Sequence, residues 1–403
     1  MAHPLKNKTF AVVLVAVALT ISCSQKPKAV EVLPPVPSAI DAKLLNEAAL
    51  FLAGLPGGPH SHYHDAESTP AWAQYAKGFN QTWATAEKEQ FAAINEFETR
   101  ELKPSASGNS FLFYPFSGPD VLYATQFFPR STLYVMAGLE PVGNLSMPAE
   151  YRKEDLPAEL NGLSIAAASI FKRSFFVTGE MSKHFGGRTP VTNGLLPVML
   201  LLLARSGSVI DGVQLGGITL QGTFEVQPLT QPKHEAVEIV FHAATGGPRK
   251  TLYYASTDLG ENYDPQKGFG RFVTLHGQHD TLIKSASFLL HWRPFLTLRR
   301  QILETSSLIL QDDTGVPYRE LQKNAWQVKL YGKYSSPDKP FTNQYQKDLA
   351  AAFSVPENAH ELGFSIGYGY HRRPSSLIVA THPSAKLNAA ASLPVAPKGP
   401  TAN

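Results

Sequence analysis

The chain contains a single cysteine, Cys23. One cysteine excludes an internal disulfide, so the core must hold without covalent staples even in an oxidising compartment. Charge is also sparse: 36 Lys and Arg against 33 Asp and Glu leave a net charge of +3. The arginine pairs Arg299–Arg300 and Arg372–Arg373 stand alone, and nothing denser marks a nucleic-acid partner. No phosphate-binding G-x-x-x-x-G-K-[ST] loop, no H-E-x-x-H and no G-x-G-x-x-G occurs, which leaves nucleotide binding and zincin chemistry without support. Long apolar runs are scarce too. LLPVMLLLLA, at 195–204, is short and has polar flanks, so it reads as a buried helix and not a membrane span.

The other apolar run lies near the N-terminus, MAHPLKNKTFAVVLVAVALTISCSQ. Lys6 and Lys8 precede an uninterrupted stretch from Phe10 to Ile21, which falls short of the about 20 residues that span a bilayer. A charged start and a short apolar core is the pattern of a secretory signal. The stretch closes on Ser22-Cys23 and resembles the lipobox of bacterial lipoproteins, in which the cysteine sulfur receives diacylglycerol. Thr20 stands where that pattern prefers leucine. Cleavage after Ala16-Val17-Ala18 is the competing reading. The resemblance implies lipidation of Cys23, anchoring to a membrane and, with Ser24 in place of aspartate, sorting to the outer membrane with the protein on its periplasmic face.

Residues 1–22 are then a signal peptide, and 23–39 a lipidated, proline-rich tether in extended conformation. Residues 40–382 form one globular domain, and 383–403, rich in Ala, Pro and Ser, form a disordered tail. Within the domain, three- and four-residue apolar steps predict helices over 40–53, 70–102, 159–185 and 193–205. A change to short β-rich runs separated by Gly and Pro predicts an antiparallel meander over 208–257, with a weak seam near Gly207–Gly217. A helix near 280–305, strands at SSLILQ and WQVKLYG, a helix at 341–353 and a last strand, SSLIVA, complete the pattern. The expected fold class is α+β: a mixed sheet with packed helices.

FLFYPFSGPD, residues 111–120, carries the most local information. FLFYPF is an aromatic strand, although Pro115 argues against a central position. Ser117-Gly-Pro-Asp120 fits a capping box for the helix VLYATQFF, and STLYVMAGLE follows as a second strand. Strand, helix and strand over 111–140 have the size of a βαβ unit. Such a unit joins parallel strands, and ligands bind beyond the strands' carboxyl ends. Tyr114 and Ser117 would then contact a ligand. Asp120 and Glu140 would share one rim, joined by Asp312 and Asp313 after SSLILQ if that strand is parallel too. Four such carboxylates could perform acid–base work or hold a divalent metal. The plain alternatives are a helix cap for Ser117 and Asp120 and an ordinary turn for Gln311-Asp-Asp-Thr-Gly315.

Other motifs fall short. Gly363-Phe-Ser365-Ile-Gly367 has the spacing of a nucleophile elbow, but no helical pattern follows it and no acid occurs after Ser365; it reads as a Gly-rich strand or hairpin. Asp313-Thr-Gly315 lacks the second triplet an aspartic protease needs. His60-Ser-His62-Tyr-His64-Asp65 is metal-like only in composition. His276 and His279 are candidate metal ligands or an acid–base pair, with Asp280 as the N-cap of a following helix as the plain reading. With no catalytic pattern complete and Phe and Tyr abundant, a lipid-anchored, non-catalytic binding or assembly protein of the cell envelope is the leading expectation. A periplasmic hydrolase or transferase acting on an envelope polymer through the carboxylate rim is the rival.

Overall fold

The computed structural model describes residues 37–103, 110–143, 155–176, 194–231, 233–371 and 374–382. Cys23, the signal and most of the tether, the tail and residues 177–185 lie outside them; the helix expected over 159–185 starts at Leu156 and already ends at Arg173, where Ser174 turns left-handed. The fold is α+β. Among the described residues, eleven strands form one mixed sheet. In chain order they are β1 (Phe111–Tyr114), β2 (Leu133–Gly138), β3 (Ser208–Ile218), β4 (Phe224–Val226), β5 (Ala236–Ala243) and β6 (Lys250–Ser256). β7 (His279–Ile283), β8 (Ser306–Gln311), β9 (Gln327–Gly332), β10 (Ala359–His360) and β11 (Ser376–Thr381) follow. Their spatial order is β10-β9-β11-β8-β7-β1-β2-β6-β5-β3-β4.

The centre of the sheet, β8-β7-β1-β2-β6, is wholly parallel. The strand–helix–strand unit expected at 111–140 is present, with Phe111 opposite Leu133 and Tyr114 opposite Met136. β1 is nevertheless the middle strand of this block. It satisfies the proline rule by ending at Tyr114, one residue before Pro115. β5, β3 and β4 extend one side antiparallel, as expected, although β4 lies outside β3 and not between β3 and β5, and β11 inserts antiparallel between β8 and β9. The seam expected near Gly207–Gly217 is absent. β3 crosses it as one strand paired along its length with β5, interrupted only by a bulge between Ile210 and Gly212.

Alternation along β1 and β2 sends side chains to two separate cores. Leu112, Tyr114, Tyr134 and Met136 pack with Leu45, Trp72, Phe79, Phe127 and Leu201. Phe111, Phe113, Val135 and Ala137 pack with Phe272, Ile302, Leu321 and Leu349. Helices preceding β3 cover the first face, and helices following β6 cover the second. The largest of them starts at Pro70, capped by Thr69, whose Oγ1 accepts the Trp72 N–H at 3.3 Å. It continues through two wide π-turns to Leu102, so the 70–102 expectation holds.

The expected helix near 280–305 is a misreading. Residues 279–283 form β7, and only Leu296–Thr305 is an α-helix. β7 is buried on both faces, and such a strand reads as a continuous run rather than an alternating one.

Candidate functional site

In the parallel block the chain runs from β1 outward to β2 and β6, then crosses to the other side of β1 for β7 and β8. Crossovers therefore leave β1 and β7 in opposite directions, and a crevice opens beyond their carboxyl ends. A cavity of about 450 Å³ occupies that position. Its walls come from the exits of four strands: Tyr114–Asp120 after β1, Gly138–Glu140 after β2, Thr257–Leu259 after β6 and Lys284–Ser287 after β7. Phe175, Phe176, Phe295, Phe341 and Tyr368 close the remainder with aromatic surface. A wider hollow of about 1060 Å³ lies at the β9–β10 edge, away from the switch in strand direction.

The backbone around the crevice is strained. Seven described non-glycine residues have positive φ, and five of them gather here: Phe116, Ser174, Ser285, Ser287 and Phe288, with φ from 51° to 61°. Each such residue costs about 1–3 kcal/mol and persists only where surrounding contacts enforce it. The left-handed turns at Phe116 and Gly118 (φ 53°) curl the loop so that the helix begins at Val121. Asp120 is therefore the N-cap, its Oδ1 accepting the Tyr123 N–H at 3.2 Å. Ser117 is not the cap that the capping-box reading required. Its Oγ donates to the Gly118 and Ala137 carbonyls at 3.1 and 3.2 Å, which ties the loop to the end of β2.

The four expected acids divide into three situations. Asp120 is buried, 2.8 Å from Lys284 Nζ, and accepts the Tyr114 hydroxyl at 2.8 Å. Lys284 also donates to the Ser174 carbonyl and lies over the Tyr123 ring, 4.1 Å from its centre. Burial pushes the Asp120 carboxyl above its ordinary value, while Lys284, Tyr114 and the Tyr123 N–H pull it back. Burial, with Asp120 beside it, drives the Tyr114 phenol far up, so Tyr114 stays a donor.

Glu140 lines the same cavity, so Asp120 and Glu140 do meet there. Its carboxylate lies over Gly138, where an added Cβ would come within 2.5 Å of Oε2 and 3.3 Å of the Gly118 nitrogen. A side chain at 138 would displace Glu140. Tyr254 fixes the Glu140 backbone by donating to its carbonyl at 2.9 Å.

Asp312 is one layer behind the cavity. It accepts the Ser285 N–H at 2.8 Å, the Thr314 N–H at 2.9 Å and the Thr314 hydroxyl at 2.5 Å. It thus pins the strained loop after β7 and does not face a ligand. Burial raises its carboxyl, opposed by these same donors. Asp313 faces β11, accepting the Ser376 hydroxyl at 3.2 Å, and is not part of the cavity wall. The shared rim expected of four acids reduces to two.

The histidines sit at the opposite, amino end of the strands. His279 opens β7 fully buried, with Nδ1 3.0 Å from the Thr281 hydroxyl and Nε2 2.8 Å from that of Thr305. Burial lowers it to about 4, so it is neutral at pH 7. His276 packs edge-on against Phe111 and Phe272 and is also lowered by burial. Asp280 caps no helix; it is paired within β7 and β8. His62 lies 2.7 Å from Glu47. Among the described residues, no group of three or more His, Cys, Asp or Glu is gathered where it could hold a metal ion.

Lys284, Gly138 and the Ser285–Ser287 turn escaped the sequence reading. The signal was TLIKSAS, an apolar run ending in a cation and small polar residues, hidden by the helical reading of that stretch. Gly363–Gly367, read as a strand or hairpin, is a loop; Gly367 donates to Ser174 Oγ and lies against Asp312. Comparison with family models, with curated proteins and with solved structures finds no match to this chain.

Proposed function

We propose that the protein is a lipid-anchored binding protein of the cell envelope that holds a small ligand at the β1–β7 crevice without transforming it. The observation that carries this reading is the cavity itself: a volume within the usual range for ligand sites, aromatic surface beside convergent polar groups, and a place at the switch point of a parallel sheet. The strained turns around it supply a second reason, since strain of this kind concentrates at ligand clamps. The pairings of Asp120 and Asp312 weigh against a hydrolase or transferase built on a carboxylate cluster. A general acid or base needs a carboxyl within reach of substrate, and these two are engaged by Lys284 and by the Ser285 and Thr314 donors.

The test uses the full chain extracted from membranes. Thr257, partly exposed on the cavity wall, is replaced by Trp to fill the space. Wild-type protein should gain thermal stability from members of a metabolite panel, and Thr257→Trp should not. Equal responses of the two proteins, or none from the wild type, would contradict the cavity reading. The anchor is tested separately: Cys23→Ala should release the protein into the soluble fraction, and intact mass should show acyl chains on the wild type alone. A variant that stays with the membrane would contradict lipidation.

A further inference from the structure

The ligand class can be narrowed from what the cavity wall offers, taking the reading of the crevice as a binding site as given. Two properties matter: the engagement of the polar groups and the angles between the rings.

Several polar groups on the wall already have partners. Ser117 donates to two carbonyls, Asp120 holds Lys284 and the Tyr114 hydroxyl, and the Tyr368 hydroxyl donates to the Ser285 carbonyl at 2.7 Å. Lys284 is the one cation among the described lining residues, and Asp120 balances its charge. Asp258 adds a carboxylate, steadied on the wall by the Gly260 N–H at 2.8 Å. A ligand that needs many hydrogen bonds is poorly served here, whereas a cation meets no uncompensated positive charge. Ser285 Oγ is the exception: it is buried and has no hydrogen-bond partner among the described residues. One hydroxyl serves one polar end of a ligand.

The rings stand at angles to one another. Phe175 and Tyr368 meet at 4.7 Å and 66°, and Phe341 and Tyr368 at 4.9 Å and 44°. Phe116 and Phe295 meet at 5.7 Å and 72°. None of these pairs is the parallel slot that holds a flat ring system; each forms a corner. In such a corner a cation can stand within about 6 Å of both ring centres, the reach of a cation–π contact. Tyr368 is fixed by the Ser285 carbonyl and by Ser287 Oγ at 2.7 Å, so its corner is formed before a ligand arrives. A quaternary ammonium group meets these conditions. It brings positive charge to the rings, has no N–H to donate, and leaves the engaged acceptors undisturbed.

We infer that the cavity takes a quaternary ammonium compound, its charged head at the rings of Phe175, Tyr368 and Phe341 and its polar end at Ser285 Oγ. Calorimetric titration of the full chain with four probes tests this: choline, its uncharged isostere 3,3-dimethyl-1-butanol, tetramethylammonium and dihexanoylphosphatidylcholine. Choline should bind about tenfold more tightly than the isostere, which has the same shape and hydroxyl without the charge. Phe341→Leu removes a ring and keeps an apolar side chain; it should cost choline about fivefold and leave the isostere unaffected. Ser285→Ala should weaken choline and not tetramethylammonium, which has no polar end; equal loss of both would overturn the place of that end. Tighter binding of the phosphatidylcholine than of choline assigns the head to a lipid, and the reverse order to a free molecule; both support the class. Equal binding of choline and its isostere would overturn the inference without recourse to any variant. If no ammonium probe binds, the inference also fails. Should a panel ligand that Thr257→Trp excludes still bind in that case, the cavity reading stands and only the ligand class falls.

Discussion

The two ends of strand β7 contain similar chemistry and arrive at opposite results. His279 at the amino end and Lys284 at the carboxyl end are both buried ionisable groups, only a few residues apart on one strand. At the amino end, helix and strand close over the side chain, and both imidazole nitrogens are satisfied by threonine hydroxyls. At the carboxyl end, chain crossovers diverge to either side of β1, and the space between them cannot be filled by either. Residue type is therefore a poor guide to where the cavity opens in this fold. A histidine cluster became a plug, and a plain lysine became part of a cavity wall.

The largest way to break the comparison is to remove one charge from the cavity end. Lys284→Met leaves the Asp120 carboxylate buried without its counter-ion, and stripping one partner from a buried pair costs about 3–5 kcal/mol. Urea unfolding measures it. A loss below about 1 kcal/mol would mean that the pair is solvated and the wall is not as closed as described. Asp120→Asn should lose stability for the same reason, although asparagine caps a helix nearly as well as aspartate. The capping role alone would have made that substitution mild; the ion pair with Lys284 makes it severe.

The amino end is probed by pH. His279 is lowered to about 4 from 6.5, so the unfolded chain binds its proton first as pH falls. Its contribution is present above pH 6.5 and is lost as pH drops toward 4, at about 1.4 kcal/mol per unit, so about 3 kcal/mol in all. The raised carboxyls of Asp120 and Asp312 work in the other direction, since they contribute less as pH rises through their folded values. The difference between wild type and His279→Gln isolates the histidine. That difference should shrink steadily from pH 6.5 to 4, and a constant difference would show His279 to be solvated. Binding of any cavity ligand should be the same in both proteins.

A smaller effect is expected at Ser117. Its hydroxyl links the β1 turn to the Ala137 carbonyl, and Ser117→Ala should cost about 1 kcal/mol, the net worth of one hydrogen bond. A helix cap would give a similar loss of stability. Only a tether should also loosen the turn and increase hydrogen exchange at Gly118, so exchange at that amide separates the two roles.

Much of the frame was legible in the sequence because it rests on local patterns. The 70–102 helix follows from apolar three- and four-residue steps, the parallel unit at 111–140 from its length, and β5 and β6 from short β-rich runs bounded by Gly and Pro. What was not legible has physical causes. β7 is buried on both faces and opens with the polar residues His279, Asp280 and Thr281, so no apolar alternation marks it, and reading it as a helix removed Lys284 from consideration. Ser117 fitted a cap by spacing, but the left-handed turns at Phe116 and Gly118 move the helix start by three residues. The acid rim was half correct. Order along the sheet puts β1 beside β2, so Asp120 and Glu140 meet, whereas Asp312 and Asp313 follow β8, one strand further from the crevice.

The central claim is that the carboxyl end of the parallel block binds a ligand and the amino end does not. Hydrogen-exchange mass spectrometry with and without a panel ligand that Thr257→Trp excludes tests it most directly. Protection should rise in the segments around Tyr114–Asp120, Gly138–Glu140 and Lys284–Ser287, with none at His276–Thr281. Protection at the histidine end, or at the β9–β10 hollow in place of the crevice, would contradict the account.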